Sequence, residues 1–320
     1  MADFPKTVHI VEEGPREGFQ FERQAIPTAR KVELIEALAE TGLDTIQAVS
    51  FVDPRRVPGW ADADAVAEGL TPRHGIAYTA LWLNEKGLLR AIEHRDRLTL
   101  SGSISLCASE TFMLRNQNRG FADNAAVQVR QIETCRAHGL PVPRLSVMAA
   151  FGCNFEGDVP VGKVLEVIAS GMEIAAAQDV RVETIALADT MAWATPAHIR
   201  RLVGAVRERW PEPRISLHLH DTRGLGIADA YAGLEMGVDH FDASVAGLGG
   251  CPFAGHKGAA GNVCTEDLVF MCEEMGISTG VDLERLLEVA RLAEEIVGHP
   301  LPGAVMHGGS LARYRRPSAA

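Results

Sequence analysis

The chain alternates short apolar runs with longer amphipathic stretches over most of its length. Eight of the apolar runs are four to eight residues long, which favours strands over helices. Several are almost continuously apolar, as is typical of parallel strands that are buried on both faces. The predicted strands are 8–11, 45–50, 76–81, 98–105, 144–149, 182–188, 215–220 and 240–245.

The stretches between the strands have the spacing of amphipathic helices. The clearest are 29–40, 125–138, 161–177, 196–210 and 227–237. Thr195 and Pro196 open one of these helices, and Gly42 and Gly237 follow the ends of two others. A further helix is predicted at 282–297, after the last strand.

This alternation predicts a (β/α)8 TIM barrel with an additional C-terminal helix. An open, doubly wound sheet is the alternative, but eight strand–helix units and the lack of a glycine-rich dinucleotide turn favour the barrel. We expect residues 1–320 to form a single domain, with 276–320 as a C-terminal extension packed on the barrel.

Composition bears on which classes of partner the protein can bind and on its cellular location. The 320 residues carry a formal net charge of −11, which argues against a nucleic-acid partner. No apolar run is long enough to span a membrane, and the N-terminus does not resemble a secretory signal. The six cysteines form no CxxC pair, so we predict a reduced, cytoplasmic protein with no membrane partner.

The candidate chemistry lies where predicted strands end. His218 and His220 are two residues apart on the seventh predicted strand, so both imidazoles point to the same side. In a barrel that side can be the lumen, and the C-terminal ends of the strands form the active-site face. Two imidazoles there predict half of a divalent-metal site.

Other strand ends can complete this site. Glu17, after the first strand, can supply a carboxylate, and Asn262, after the last strand, can supply an amide oxygen. Such a mixed set suits Mg²⁺ or Mn²⁺ better than zinc. Arg16 can stabilise a developing enolate or carbonyl oxygen. Cys251, in a glycine-rich loop, and Asp189, after the sixth strand, are candidate acid–base groups.

These motifs together resemble the 3-hydroxy-3-methylglutaryl-CoA lyase family, within a larger group of barrel metallo-lyases. The resemblance runs from about residue 12 to residue 297. The segments that carry it are GPREGFQ at 14–20, SFVDPRRVP at 50–58, SETF at 109–112, GCNFEG at 152–157, HLHDT at 218–222, SVAGLGGCPFAG at 244–255 and GNVCTEDL at 261–268.

The resemblance implies retro-aldol cleavage of an acyl-CoA substrate and an assembly that is a dimer or larger. The implied metal ligands are Glu17, His218, His220 and Asn262. Arg16 is implied to stabilise an enolate oxygen, and Cys251 and Asp189 to move protons. We also expect substrate contacts from Gln20, Gln47 and Asn84.

The chain departs from the family pattern at four places. Glu17 stands where the family has Asp, and Gln47 stands where it has Glu, so we expect a neutral network around position 47. Ala186 replaces a serine that touches the acyl unit, and the loop that includes 255–261 is about two residues longer. A lost polar contact changes specificity. The acyl group is therefore expected to differ, with 3-hydroxy-3-methylglutaryl-CoA, citramalyl-CoA and a longer-branched 3-hydroxyacyl-CoA as the candidates.

Two other functions share these motifs. A synthase that condenses acetyl-CoA with a 2-oxo acid would use the same barrel and metal site, but such enzymes carry substantial further C-terminal regions. A non-catalytic acyl-CoA-binding protein is the other alternative, suggested by Glu17 and Gln47. The combination of Arg16, both histidines, Asn262 and Cys251 favours the lyase.

Overall fold

Eight parallel strands form the central sheet of the computed structural model, which describes residues 4–20, 22, 24–250 and 260–315. Two additional short strands form an antiparallel hairpin between the fifth and sixth strands of this sheet. In chain order the strands are β1 (His9–Glu12), β2 (Thr45–Ser50), β3 (Ala77–Leu81), β4 (Ser103–Cys107), β5 (Arg144–Met148), the hairpin strands β6 (Gly152–Cys153) and β7 (Gly157–Asp158), β8 (Thr184–Asp189), β9 (Arg214–Leu219) and β10 (His240–Ala243).

The strand order is that of a (β/α)8 barrel. Neighbours in the sheet run β3-β2-β1-β10-β9-β8-β5-β4, so each barrel strand pairs with the barrel strand that follows it in the chain, except β3 with β4, and β1 pairs with β10. At the remaining seam, the backbone N–H of Thr99 donates to the carbonyl of Tyr78 at 2.8 Å, which brings the segment before β4 to β3. The predicted barrel is confirmed. The strand predicted at 98–105 begins only at Ser103.

Twelve α-helices accompany the strands among the described residues. They are α1 (Gly14–Gly18), α2 (Thr28–Leu38), α3 (Ala63–Gly69), α4 (Glu85–Glu93), α5 (Glu110–Gln117), α6 (Phe121–Ala137), α7 (Val161–Ala177), α8 (Pro196–Arg209), α9 (Gly226–Glu235), α10 (Thr265–Glu274), α11 (Leu283–Val297) and α12 (Ala304–Gly308). As predicted, the Thr195 side chain caps α8, and α11 is the additional C-terminal helix. No helix in the described ranges is both long and apolar enough to cross a membrane.

The two faces of the barrel strands differ in polarity. Leu145 is fully buried and faces α7, where Gly171 permits the close approach of the helix. Ser146, the next residue, points into the lumen, where its hydroxyl lies 3.2 Å from that of Ser103. Sequence patterning suggested strands that are apolar on both faces; β4 and β5 instead alternate, because the lumen holds a hydrogen-bonded polar network.

Candidate active site

Helix α1 immediately follows β1 and is fixed on all sides. Pro15 starts its first turn, and all five of its residues are buried. Trp60 donates its indole N–H to the carbonyl of Arg16 at 2.8 Å. Gly18 packs directly against Leu248, so that even a methyl group would clash there. These contacts hold Arg16 and Glu17 at the C-terminal end of β1.

His218 and His220 lie side by side at the mouth of the barrel, at the C-terminal end of β9. Their Nε2 atoms are 3.1 Å apart, and the Oε1 atom of Glu17 lies 3.5 Å from Nε2 of His220. The Nδ1 atom of His220 lies 3.0 Å from the carbonyl oxygen of Ala260. A carbonyl only accepts, so Nδ1 of His220 carries the hydrogen and its Nε2 presents a lone pair to His218 and Glu17.

Asn262 completes this group from the other side. Its side-chain nitrogen donates to Glu17 at 3.2 Å, and its backbone forms an isolated antiparallel β-bridge with that of His220. Its side-chain oxygen is buried and has no hydrogen-bond partner among the described residues. Unpaired buried acceptors are costly. An acceptor-rich cluster of two imidazoles, a carboxylate and an orphaned amide oxygen fits a cation, and Glu17, His218 and His220 are close enough to share one ion.

The pKa values of the two histidines are shifted in opposite directions. Burial lowers the pKa of His220 to about 3, with a further lowering from His218. Burial also acts to lower the pKa of His218, but the hydrogen bond to Asp242 and the charge of Glu13 outweigh it and raise that pKa. His218 is therefore the more basic imidazole of the metal-free pair.

Arg16 is surrounded by three acceptors rather than by a neutral network. Its guanidinium donates through Nε to Gln47 and through Nη2 to Glu13, and Glu17 Oε2 lies 3.6 Å from Nη2. Burial opposes the charge of Arg16, yet the carboxylates of Glu13 and Glu17 raise its pKa above the ordinary value. The expectation of a neutral network at Gln47 was wrong, because Glu13 brings the charge from α1's N-terminal side.

Sequence reasoning missed Glu13 and Asp242. Glu13 also lies 3.4 Å from the side-chain nitrogen of Asn262. Asp242, on β10, accepts from Nδ1 of His218 at 3.1 Å. Burial acts to raise the pKa of Asp242, but the charge of Arg144 and the hydrogen bond from His218 outweigh it and lower that pKa to about 2. Both are acidic residues close to the motifs at 14–20 and 244–255, but their partners are set by contacts that the sequence does not show.

Asp189 lies at the end of β8, as predicted, with its carboxylate turned toward the following loop. It accepts the backbone N–H groups of Trp193 at 2.7 Å and Ala194 at 3.0 Å. Burial raises the pKa of Asp189 to about 6, against these two hydrogen bonds. The group therefore both holds the loop and titrates near neutral pH.

The other predicted residues are not all brought together. Asn84 is exposed and uses its side-chain oxygen to accept the Gly87 N–H at 2.9 Å, as the N-cap of α4. Gln20 is partly buried just after α1. Cys251 and most of the 255–261 loop lie outside the described residues. Substrate contacts of Gln20, Gln47 and Asn84 stay predictions.

Comparison with known proteins identifies the family. The model of the family described as HMGL-like matches residues 7–293. The chain belongs to the HMGL-like family. It is 37% identical to hydroxymethylglutaryl-CoA lyase YngG of Bacillus subtilis, over 93% of this chain and 96% of that protein. This HMGL-like protein is accordingly a carbon–carbon lyase of the hydroxymethylglutaryl-CoA lyase type.

Two more relatives of this HMGL-like lyase are informative. A Pseudomonas aeruginosa protein named 3-hydroxy-3-isohexenylglutaryl-CoA/hydroxy-methylglutaryl-CoA lyase is 38% identical, over 92% of this chain and 95% of that one. The solved structure of an HMG-CoA lyase from Acinetobacter baumannii, in complex with coenzyme A and 3-methylmalate, superposes with a TM-score of 0.87 at 36% identity, covering 99% of both chains.

Proposed function

We propose that this lyase cleaves a 3-hydroxy-3-alkyl acyl-CoA by a retro-aldol reaction that requires a divalent cation. The observation that carries the proposal is the convergence of Glu17, His218 and His220 on one point, beside the orphaned oxygen of Asn262 and the charged Arg16. With 3-hydroxy-3-methylglutaryl-CoA the products are acetyl-CoA and acetoacetate.

Glu17, His218, His220 and Asn262 are the proposed ligands of the cation, and we propose Mg²⁺ or Mn²⁺. Two imidazoles with a carboxylate and an amide oxygen suit these ions, whereas zinc favours cysteine or a third histidine. When bound, such an ion polarises substrate oxygens as a Lewis acid.

The reaction moves one proton off oxygen and one onto carbon. A base removes the proton of the C3 hydroxyl, and the O–H electron pair becomes the new ketone as the bond between C2 and C3 breaks. The electrons of that bond pass to the thioester as an enolate, which an acid then protonates at C2. Arg16, kept charged by Glu13 and Glu17, stabilises the enolate oxygen.

Asp189 and Cys251 are the proposed proton carriers. A carboxyl group with a pKa of about 6 exchanges protons efficiently near neutral pH. Cys251 lies in the glycine-rich loop that follows β10. Cys251→Ala is expected to lower turnover more than substrate affinity, measured as a kcat change with little change in binding of the CoA thioester. An unchanged kcat would exclude the role.

The lumen beside the metal ligands offers an apolar wall to the acyl group. Ala188 pairs with His218 in register, and Ala186 lies two residues earlier on the same strand. Met148 ends the adjacent strand β5 and is partly exposed. Methyl groups and a flexible thioether suit an alkyl substituent at C3 that is larger than methyl. The isohexenyl substrate named for the Pseudomonas relative is of this kind.

A substrate panel tests the proposal. The purified protein, loaded with Mg²⁺ or Mn²⁺, is incubated with 3-hydroxy-3-methylglutaryl-CoA, citramalyl-CoA and a 3-hydroxy-3-isohexenylglutaryl thioester, and products are followed by mass spectrometry. We expect cleavage of at least one, abolished by His218→Ala. No cleavage of any member with either metal would overturn the proposal. Condensation of acetyl-CoA with a 2-oxo acid would favour the synthase alternative.

The setting of the enzyme is part of the same proposal. We propose a reduced, cytoplasmic location and an assembly of two or more chains. Among the described residues, Cys107, Cys135, Cys153, Cys264 and Cys272 are free and buried, which supports a reducing compartment. The assembly state stays a prediction, to be measured by light scattering.

A further inference from the structure

Arg144 reaches across the lumen of the barrel. It is the first residue of β5, yet its Nη2 donates to Oδ2 of Asp242 on β10 at 2.8 Å. Two strands, β8 and β9, lie between β5 and β10 in the sheet. The contact therefore spans the interior of the barrel, from the N-terminal end of one strand to the middle of another.

Arg144 is anchored on its own side of the lumen. Its Nε donates to the hydroxyl of Ser146 at 3.3 Å, and that hydroxyl lies 3.2 Å from the hydroxyl of Ser103 on β4. The planar guanidinium is thus held at two points, through Nε and through Nη2. A fork held in this way fixes the direction from which it meets a carboxylate.

Asp242, oriented by Arg144, in turn contacts His218. The two residues pair in register on adjacent strands, and Oδ2 of Asp242 lies 3.1 Å from Nδ1 of His218. Asp242 is 1% exposed. The other carboxylate near this nitrogen is that of Glu13, whose Oε2 is farther away at 3.5 Å and already accepts from Arg16. Asp242 is therefore the acceptor that fixes the orientation of the His218 ring.

The hydrogen bond to Asp242 decides which nitrogen of His218 is left for a cation. A carboxylate that accepts from Nδ1 keeps the hydrogen on that nitrogen, so the lone pair of the neutral ring lies on Nε2. Nε2 is the atom that faces Nε2 of His220 at 3.1 Å. The tautomer required for metal binding is therefore selected at Nδ1, the ring nitrogen that does not face His220.

We propose that Asp242 and Arg144 are positioning residues of the metal site: Arg144 orients the carboxylate of Asp242, and Asp242 fixes the tautomer and the plane of His218. The inference rests on the proposed metal site and adds to it two residues beyond the four ligands. Such carboxylate–histidine–metal arrangements raise metal affinity, and loss of the outer partner typically costs about 10–100-fold.

Metal affinity, rather than turnover, tests the inference. Mn²⁺ is titrated into the metal-free full-length protein and the free ion is measured by electron paramagnetic resonance. Asp242→Asn keeps the shape but removes the charge, and we expect the Mn²⁺ Kd to rise about 10–100-fold. Arg144→Met should raise it less. Asp239→Asn is the matched control, because Asp239 pairs with His240 at 3.0 Å on the same part of the chain and should leave the Kd unchanged.

The double variant separates positioning from general structural damage. If Arg144 acts through Asp242, then Asp242→Asn combined with Arg144→Met should bind Mn²⁺ no more weakly than Asp242→Asn alone. Additive losses would overturn the proposed chain of contacts. An unchanged Kd in Asp242→Asn would overturn the role of Asp242, while wild-type Mn²⁺ binding would still support the metal site.

A second measurement needs no variant. Nitrogen-15 NMR of the metal-free wild-type protein, at alkaline pH where His218 is neutral, should show the hydrogen on Nδ1. The opposite tautomer would overturn the inference even if the variants fail to fold. Failure of the wild-type protein to bind Mn²⁺ would overturn the metal site together with this inference, so the two failures are distinguishable.

Discussion

Arg16 and Glu13 form a buried ion pair at the start of α1, and Gln47 accepts from Nε of the same guanidinium. One acid and one amide thus accept hydrogen bonds from Arg16, and the carboxylate of Glu17 lies farther away, at 3.6 Å. The requirement we infer is for one negative charge in direct contact with the guanidinium, at either of the two positions, because an unpaired buried charge is strongly disfavoured.

A charge exchange tests this requirement. Glu13→Gln should lower kcat at least tenfold and reduce the free energy of unfolding by about 1.5–3 kcal/mol, the usual range for a charged hydrogen bond. Glu13→Gln combined with Gln47→Glu restores one acid and one amide, and should recover most of both losses in steady-state assays and urea unfolding. A double variant no better than the single one would show that position, not charge, matters at Glu13.

Cation binding should stabilise the folded protein. Because the ligands come from three separate strand ends, the ion binds the folded chain in preference to the unfolded one. At 100 times its Kd, Mg²⁺ or Mn²⁺ should add about 2.7 kcal/mol, and EDTA should reverse the rise in Tm. His220→Ala should abolish the shift. His299→Ala, which removes an exposed histidine, should retain it; loss of the shift in that control would argue against a specific site.

Asp189 should make a measurable contribution to pH-dependent stability. Its pKa is raised from 3.8 to about 6 by burial, so between these values the folded state holds more protons than the unfolded state. Stability from this group is therefore greatest below about pH 4 and falls as pH rises through 6, by about 3 kcal/mol. Above pH 6 the full cost of the buried charge is present.

The comparison with Asp189→Asn isolates this term from other titrating groups. The difference in unfolding free energy, wild type minus variant, should become more favourable to wild type as pH falls from 7 to 4, as measured by urea unfolding. Asn cannot accept from both Trp193 and Ala194, so the variant also loses a constant amount at all pH values. A pH-independent difference would mean that Asp189 is not protonated in this range.

The barrel and most of the candidate metal-binding cluster could be predicted because they depend on local patterns. Alternation on a strand puts His218 and His220 on one side, whatever the rest of the chain does. The ion pair between Glu13 and Arg16 could not be predicted. It depends on α1 forming a helix at a motif that contains two glycines and a proline. Asp242 depends on the contact of β10 with β9 and on Arg144 across the lumen, and such relationships exist only after the barrel closes.

Gly18 should be the most sensitive glycine near the active site. A Cβ there would lie 2.2 Å from Cγ of Leu248, and α1 is already fixed by Trp60 on its other side. Gly18→Ala must therefore shift α1 and, with it, Glu17. We expect a loss of about 1–3 kcal/mol from overpacking, together with weaker Mn²⁺ binding. Urea unfolding and metal titration check the two effects.

Two further variants decide whether the clash is the cause. Gly162→Ala, in α7 where nothing lies within 4 Å of the new methyl, should be neutral or stabilise by up to about 1 kcal/mol through helix propensity. Leu248→Ala combined with Gly18→Ala should recover Mn²⁺ affinity, since the shortened side chain makes room for the methyl group. Recovery of affinity without recovery of stability is expected, because Leu248→Ala removes buried apolar surface. If affinity stays low in the double variant, then contact between α1 and Leu248 is not what sets the position of Glu17.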